Sequence, residues 1–177
     1  KDLAENLMIV DVLRNDISRV CDYGSVEVSK LAKLESYQNV HHLVSSIEGK
    51  LSKNKDIFDL LNATLPGGSI TGAPKVRAME IISELEKSNR GVYCGTIGYM
   101  SFSGYSDFNI PIRTITIEND QAFLNSGGGI VADSLPLKEF SELMSKVSNL
   151  FPKKKKRKHI QSGQKLEIWL FILMVNT

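Results

Sequence analysis

Apolar residues recur at helical spacing in several stretches of the chain, with polar residues between them. This pattern predicts four helices, over 1–20, over Ile57–Ala63, from about Ala73 to the region of Ser88–Gly91, and over Leu135–Leu150. In the third helix one apolar stripe should face a core; its members are Val76, Met79, Ile82 and Leu85. The last helix offers a similar set for packing, Leu135, Phe140, Leu143, Val147 and Leu150.

Between these helices lie runs rich in β-branched and aromatic residues, bounded by Gly, Asn and Asp. They predict seven strands, at Ser25–Lys30, Lys33–Tyr37, Val40–Leu51, Tyr93–Phe102, Phe108–Glu118, Ala122–Asn125 and Gly129–Ala132. The later strands should form a mostly antiparallel meander. The order of helices and strands therefore predicts an α+β fold, with a mostly antiparallel sheet layered against packed helices.

Charge is distributed unevenly along the 177 residues. Residues 152–177 hold seven Lys or Arg and one Glu, so 1–151, with fifteen basic and nineteen acidic residues, is mildly acidic. An acidic body argues against nucleic acid as a partner of the folded part, because binding to phosphates needs a basic face. We therefore divide the chain into a domain over 1–150 and a tail over 151–177.

The tail begins with a basic run, Lys153–Lys158, after Pro152, and 161–177 has no clear period. Such a run could be a nuclear-localisation signal or a patch for an anionic surface. The alternatives are a solvated disordered tail, a vector-derived extension or translation past a frameshift. We expect the tail to be foreign to the domain.

Cysteine usage and hydropathy indicate the compartment. Cys21 and Cys94 are too few and too far apart for a disulfide framework or a metal cluster, and no signal peptide precedes them. The longest apolar run, Ile168–Val175, is far shorter than a membrane span. We expect a cytoplasmic protein without a transmembrane helix.

The glycine-rich run over 66–80 is the chain's most informative segment. Its glycines permit positive φ and close backbone approach, and Pro74 suits the first position of a helix. Free N–H groups at the start of that helix, with the Ser69 and Thr71 hydroxyls, could bind a carboxylate or phosphate. The alternative is a plain capped turn. The run is not a phosphate-binding P-loop, because the Gly-Lys-Ser/Thr ending is absent.

Two pairs of carboxylates stand three residues apart on predicted helices. Asp2 and Glu5 face one way on the opening helix, and Glu139 and Glu142 repeat the arrangement on the closing helix. Mg²⁺ needs oxygen ligands and usually takes one or two protein carboxylates. The pairs could therefore hold Mg²⁺, or they could be solvated helix faces.

Two further features could contact an acidic ligand, the histidine pair 41–42 and Arg113, and each has a structural alternative. His41 and His42 should point to opposite faces of a strand, so only one of them can face inward, either to pack or to donate a hydrogen bond to an acid. Arg113, in an apolar run, could bind a carboxylate, or it could pair with Glu118 or Asp107.

A glycine segment and one tyrosine complete the set of candidate ligand-binding groups. Three glycines in succession, Gly127–Gly129, suggest close approach of the backbone to a ligand, or else a bulge or tight turn. Tyr93 could present its hydroxyl to the same pocket or be an ordinary sheet tyrosine. We find no Ser/His/Asp triad, nucleophilic Cys motif or dinucleotide fingerprint.

Taken together, these motifs resemble those of the chorismate-utilising enzymes, over about 1–150 and in the family's order. The motifs are Ala4–Asp11, Arg14–Asp16, Val40–Ser45, Pro66–Lys75, Arg90–Gly95 with Gly98-Tyr99, Ile110–Thr114 and Gly127–Ser134. The resemblance implies a layered anthranilate-synthase-like sandwich. Within the family, the form of Pro66–Lys75 and the presence of Asn6 resemble component I of aminodeoxychorismate synthases, whereas anthranilate synthases more often have Gly-Thr-Leu-Ser-Gly and His at these places.

The resemblance implies a role for each candidate residue. Glu5 and Glu142 would be direct Mg²⁺ ligands, and Asp2 and Glu139 would hold metal-bound water around the ring carboxylate of chorismate. The groups that would hold the substrate's carboxylates are Tyr93, Arg113, the backbone at Gly127, Gly128 and Gly129, and Lys146. His42, the expected catalytic residue, would line the ring pocket with Ser69, and Thr71 would bind substrate beside it.

The implied reaction replaces the ring C4 hydroxyl of chorismate by ammonia, which a glutamine amidotransferase subunit or domain would deliver for para-aminobenzoate and folate synthesis. The family's nucleophilic lysine, in a Pro-Ile-Lys-Gly-Thr motif, and a general acid/base glutamate have no counterpart in this chain. We therefore expect the N-terminal part of the domain to be missing and this polypeptide alone to be inactive or nearly so. The alternatives are an anthranilate synthase component I, or a non-catalytic remnant with a basic binding tail.

Overall fold

The chain forms two compact units, Lys1–Leu85 and Glu86–Thr177, in a computed structural model that describes residues 1–37 and 41–148 and the backbone of 166–170. Both units combine helices with short, mostly antiparallel strands. The α+β class predicted from the sequence is confirmed. No helix within the described residues is long and apolar enough to cross a membrane.

The first unit is built around its opening helix. Its elements are α1 (Asp2–Ser18), β1 (Glu27–Ser36), β2 (His41–Glu48), α2 (Ile57–Thr64), a 3₁₀ turn (Gly68–Ile70) and α3 (Lys75–Leu85). Helix α1 contacts β1, β2, α2 and the 3₁₀ turn. Val10 and Asp16 are the buried residues of α1, whereas Leu3, Leu7 and Leu13, which share the predicted helical spacing with Val10, are exposed.

Strand β1 is a single bulged strand where the sequence predicted two. It pairs antiparallel with β2, and the register shifts between Val28 and Lys30 and again between Lys30 and Lys33. At the bulge Ala32 has a φ of 46°, and its N–H donates to Ser45 Oγ at 2.9 Å. Ser45 Oγ donates in turn to Asn6 Oδ1 at 2.6 Å, so a side chain of α1 supports the bulge.

Among the residues that the structure describes, the second unit contains three strand pairs and one helix. Its elements are β3 (Ile97–Met100), β4 (Ser106–Asn109), β5 (Thr114–Glu118), β6 (Gln121–Ser126), α4 (Pro136–Ser148) and β7 (Leu166–Leu170). The pairs β3–β4 and β5–β6 are antiparallel, whereas β7 is parallel to β6. Leu124 on β6 packs with Leu143 and Val147 of α4 in the buried core.

Several predicted strands are shorter than expected, because the backbone turns inside them. The predicted strand at Tyr93 begins only at Ile97, since Gly91 and Cys94 have φ of 60° and 63°. The run Phe108–Glu118 breaks into β4 and β5, and Arg113 has a φ of 51° at the break. Residues 129–132 form no strand. The strands therefore make separate small sheets and not the single meander that was predicted.

The predicted apolar stripe of α3 is wrong as a buried face. Val76, Met79 and Leu85 are exposed, and Ala78 is the buried residue of this helix. On α4, Leu143 and Val147 are buried as expected, whereas Leu135 and Phe140 are exposed and Leu150 lies outside the described residues. Helical periodicity identifies an apolar stripe, but it does not specify which element covers that stripe.

Strand β7 lies in a segment for which the sequence predicted no regular element. It pairs with β6 in register from Ala122 opposite Leu166 to Ser126 opposite Leu170. The alternation of five residues is too short to stand out from the apolar run that surrounds it. The rest of the predicted tail, including the basic run Lys153–Lys158, lies outside the described residues.

Candidate functional site

The glycine loop between α2 and α3 presents one of its two predicted hydroxyls at the surface. Ser69, in the 3₁₀ turn, is exposed. Thr71 is buried, and its Oγ1 donates to the Gly67 carbonyl at 2.9 Å. The Thr71 side chain thus closes the loop on itself, while the Ser69 side chain is the one available to a ligand in the first unit.

The loop is held closely against α1. A Cβ atom built on Gly68 would lie 2.6 Å from Cγ1 of Val12, a distance that real side chains do not reach. Glycine is therefore required at 68 by packing, independently of any ligand. The ends of the loop are fixed by charged side chains, because Lys75 Nζ donates to the Asp16 carboxylate and to the Thr64 carbonyl.

Both histidines of β2 are exposed, so neither of them faces inward in the first unit. His42 stands opposite Glu35 in the β1–β2 register, and the Tyr37 ring meets it edge-on with centroids 5.8 Å apart. His41 Nδ1 lies 2.9 Å from Ser36 Oγ. Alternation along β2 places the His41 and His42 rings on opposite faces of the strand pair, but a ring is buried only where another element covers its face.

The turn that contains Gly128 meets the side chains of α4 in the second unit. A Cβ on Gly128 would lie 3.7 Å from Lys146 Nζ and 4.0 Å from Glu139 Oε2. Lys146 Nζ is 2.7 Å from Glu142 Oε1, one helical turn away. The structure therefore brings four predicted site residues together, and the missing side chain at Gly128 leaves space beside an ammonium and two carboxylates.

Ser134 is a member of this cluster that the sequence analysis did not single out. Its Oγ donates to Glu139 Oε1 at 2.6 Å and accepts from the Val131 N–H at 3.1 Å. It thereby ties the segment after the glycines to the first turn of α4. The sequence signal was present, because Ser134 closes the motif that begins at Gly127, but its partner could not be known without the fold.

Tyr93 lies in a buried turn and not in a strand. Burial raises the pKa of the Tyr93 phenol, so the hydroxyl remains a hydrogen-bond donor at neutral pH. Burial also raises the pKa of the neighbouring Cys94 thiol. Arg90 in front of the turn forms a bidentate pair with Glu86, with Nε and Nη2 donating at 2.9 and 2.6 Å.

Arg113 is exposed at the start of β5. Among the described residues it forms no ion pair with Glu118 or Asp107, the two structural partners that the sequence left open. The Arg113 side chain therefore lies exposed on the second unit without either of these two partners. This leaves the anion-binding alternative for Arg113 in place.

The predicted metal ligands are carboxylates on two helices. Asp2 and Glu5 belong to the first turn of α1, and Glu139 and Glu142 belong to α4. No group of three or more His, Cys, Asp or Glu side chains is arranged to hold a metal within the part of the chain that the structure describes. The donor chemistry of each pair nevertheless fits a hard cation, since all four residues offer carboxylate oxygens.

The chain matches the family model described as chorismate binding enzyme over residues 1–152. The chain belongs to the chorismate-binding enzyme family. It is 56% identical over 150 residues to aminodeoxychorismate synthase component 1 of Escherichia coli, an alignment that covers 85% of this chain and 33% of the relative. It is 49% identical to anthranilate synthase component 1 of Aquifex aeolicus, over 85% of this chain and 30% of that relative.

The fold of this family member is also similar to a solved structure. Anthranilate synthase component I from Streptococcus pneumoniae matches with a TM-score of 0.73 and 41% identity, over 83% of this chain and 34% of the other. The chain thus spans about a third of the length of the relatives it matches. The family predicted from the motifs is confirmed. The described residues of this chain include the cluster of Gly128, Glu139, Glu142 and Lys146.

Proposed function

We propose that this chain provides chorismate-binding residues of an aminodeoxychorismate synthase component 1. The observation that carries the proposal is the cluster in which Gly128 faces Lys146 and Glu139, with Glu142 paired to the same lysine. A cation beside an open glycine turn suits a substrate carboxylate. The 56% identity to the E. coli relative supports the aminodeoxychorismate subtype.

The second unit would bind the carboxylates of chorismate. Lys146 supplies a positive charge, the backbone of Gly127–Gly129 can approach the substrate closely, and the exposed Arg113 guanidinium can bind a carboxylate in a bidentate manner. Tyr93 would donate a hydrogen bond from its phenol to the same anion, since a phenol is protonated at neutral pH and burial raises the pKa of this one further. These groups bind and orient the substrate without reacting with it.

The four carboxylates would hold Mg²⁺, with Glu5 and Glu142 as direct ligands and Asp2 and Glu139 on metal-bound water. When bound, Mg²⁺ would neutralise and orient the ring carboxylate of a dianionic substrate. Glu142 Oε1 lies 2.7 Å from Lys146 Nζ, so the ammonium stands beside this proposed ligand. Ser134 Oγ holds Glu139 Oε1 by donating a hydrogen bond at 2.6 Å.

His42 and Ser69 would line the ring pocket in the first unit, with Thr71 holding the glycine loop closed behind Ser69. In the net reaction the ring C4–O bond breaks, the hydroxyl leaves as water, and ammonia forms the new C4–N bond. The products are 4-amino-4-deoxychorismate and water. A glutamine amidotransferase partner would supply the ammonia for para-aminobenzoate and folate synthesis.

Anthranilate synthase component 1 is the second candidate, because relatives of that type also match most of this chain, at lower identity than the 56% of the aminodeoxychorismate synthase relative. The A. aeolicus and S. pneumoniae relatives of that type are 49% and 41% identical over most of this chain. Both enzymes would use the same carboxylate-binding cluster. The two candidate enzymes would differ in the product that they make from the chorismate ring and not in the residues that bind chorismate.

A chimera tests the proposal. The 150-residue segment of the E. coli relative that is similar to this chain is replaced by this chain's own segment, and ammonium is supplied directly so that no partner is needed. We expect conversion of chorismate to 4-amino-4-deoxychorismate within about tenfold of the parent rate. A folded chimera without this activity would contradict the proposal.

A further inference from the structure

The end of α1 carries a buried carboxylate that the chemistry above does not use. Asp16 is only 3% exposed. Its Oδ2 accepts from Lys75 Nζ, and its Oδ1 accepts from Arg19 Nη2 at 3.2 Å. A buried carboxylate needs such partners, because an isolated charge would be strongly disfavoured away from water.

The two cations bonded to Asp16 also bind the last carbonyls of α2. Lys75 Nζ donates to the Thr64 carbonyl at 3.2 Å, and Arg19 Nη2 donates to the Ala63 carbonyl. Carbonyls at the end of a helix lack partners within the helix, so these bonds cap α2. The cluster therefore joins the end of α1, the end of α2 and the first residue of α3.

These three points enclose the glycine loop. The loop begins after Thr64 and ends before Lys75, so the Lys75 ammonium joins its two ends, and the Asp16 carboxylate holds that ammonium. Its middle is held by the packing of Gly68 against Val12, also on α1. A segment fixed at both ends and in the middle has little freedom to change the direction of Ser69.

Lys75 is poorly placed to stabilise α3, the helix to which it belongs. It is the first residue of α3, where the partial positive charge of the helix disfavours a cation. A buried ion pair is also often no more stabilising than well-packed apolar residues. Its position between two helix ends and a glycine loop therefore indicates a geometric role.

We propose that Asp16 and Lys75 are positioning residues, whose ion pair fixes the glycine loop so that Ser69 faces the substrate. The part of this statement that concerns substrate rests on the proposed function. Neither residue touches the substrate. Arg19, with its side chain more than half exposed, assists by holding the same carboxylate from the solvent side.

The test measures hydrogen–deuterium exchange in the full 177-residue chain without chorismate. In the variants Asp16→Asn and Lys75→Met, amides of 66–73 should exchange at least about tenfold faster, whereas those of β1 and β2 should keep their protection. Lys75→Arg keeps the charge and should retain wild-type exchange. Lys55→Met is the matched control, because it breaks the more exposed Lys55–Asp59 pair in the same unit.

Two results would overturn the role in fixing the loop. One is unchanged exchange in 66–73 in both variants, and the other is an equal rise throughout the first unit, which would indicate a general effect on folding. If Lys75→Arg behaves like Lys75→Met, charge is not what holds the loop, and the proposal also fails.

A kinetic measurement then tests the link to substrate. In the chimera described above, Asp16→Asn should raise the KM for chorismate roughly tenfold and change kcat by about twofold at most. Faster loop exchange with an unchanged KM would overturn the link to substrate. An inactive parent chimera would contradict the proposed function. The exchange experiment is done without chorismate, so it would still test whether Asp16 and Lys75 fix the loop.

Discussion

At the scale of single residues, the absent side chain at Gly128 is central to the cluster in the second unit. Alanine there would place its methyl group 3.7 Å from Lys146 Nζ, an ordinary van der Waals distance. The fold should therefore tolerate it, with a change in unfolding free energy within about 0.5 kcal/mol. The methyl group would nevertheless fill space that we assign to a substrate carboxylate.

We predict that Gly128→Ala in the chimera raises the KM for chorismate roughly tenfold to a hundredfold. Steady-state kinetics and a thermal melt measure the two effects separately. Ser141→Ala, on the exposed surface of α4, is the control and should change neither quantity. A KM unchanged by Gly128→Ala would remove the glycine turn from the substrate site.

Ser69 and Thr71 should differ in what their hydroxyls do. Thr71→Val removes a buried hydrogen bond to the Gly67 carbonyl and should lower the free energy of unfolding by about 1 kcal/mol. Ser69→Ala removes an exposed hydroxyl and should leave stability unchanged while raising the chorismate KM roughly tenfold. Chemical denaturation of the chain and kinetics of the chimera test this pair, and equal effects of both substitutions on stability would contradict it.

The sequence identified most of these residues, but it did not show which of them stabilise the fold and which are exposed to a ligand. Ser69 and Thr71 are equivalent as letters in a glycine-rich run, and only the fold shows that one hydroxyl is buried. Lys75 was placed inside a helix from its sequence, yet its partner Asp16 is 59 positions away. Contacts over such separations depend on packing, which local patterns do not encode.

At the scale of elements, α2 shows how local signals fix a helix start. Asp56 accepts from the Phe58 and Asp59 N–H groups at 2.8 and 3.0 Å, and Asp59 accepts from the Asp56 N–H at 3.1 Å. This reciprocal capping box lowers the pKa of the Asp59 carboxyl, first through the Asp56 backbone N–H and then through Lys55. Local chemistry of this kind made the predicted helix Ile57–Ala63 nearly correct.

The cap gives a prediction about pH. Because the pKa of Asp59 is lower in the folded state than in the unfolded state, its ionised form stabilises the fold above about pH 4, and this contribution is lost as the pH falls through the folded-state pKa. Stability of the native chain should therefore fall more steeply between about pH 5 and pH 3 than that of Asp59→Asn. Urea denaturation at several pH values measures this.

A matched control uses Asp11, which is exposed on α1. Asp11→Asn removes a carboxylate from the same unit without disturbing a helix cap, so its pH profile should follow that of the native chain. Parallel profiles for the native chain and Asp59→Asn would show that the cap does not contribute to acid sensitivity.

The strands were harder to predict than the helices, because their ends depend on single backbone turns. Arg113 lies in an apolar run that reads as a continuous strand, and its positive φ divides that run into β4 and β5. Conversely, the bulge at Ala32 joins two predicted strands into β1, since Asn6 and Ser45 supply the hydrogen bonds that hold it. Neither the turn at Arg113 nor the bulge at Ala32 changes the alternation of apolar and polar residues from which strands are predicted.

At the scale of the whole molecule, the chain belongs to the chorismate-binding enzyme family, and we propose that it contributes to aminodeoxychorismate synthesis. The motifs over 1–150 predicted the family, and the family model covers 1–152. The chain spans about a third of its relatives' length. The exposed apolar side chains of α3 and of the β3–β4 hairpin also show that covering surfaces cannot be deduced from amphipathic patterns.

The most direct test of the central claim compares this chain's segment in two parent enzymes. It replaces the similar segment in aminodeoxychorismate synthase component 1 of E. coli and in anthranilate synthase component 1 of A. aeolicus. Each chimera is assayed with chorismate and ammonium. We predict activity within about tenfold of the parent in the first and at least about tenfold weaker relative activity in the second. A folded first chimera that forms no 4-amino-4-deoxychorismate, or full activity only in the second, would contradict the account.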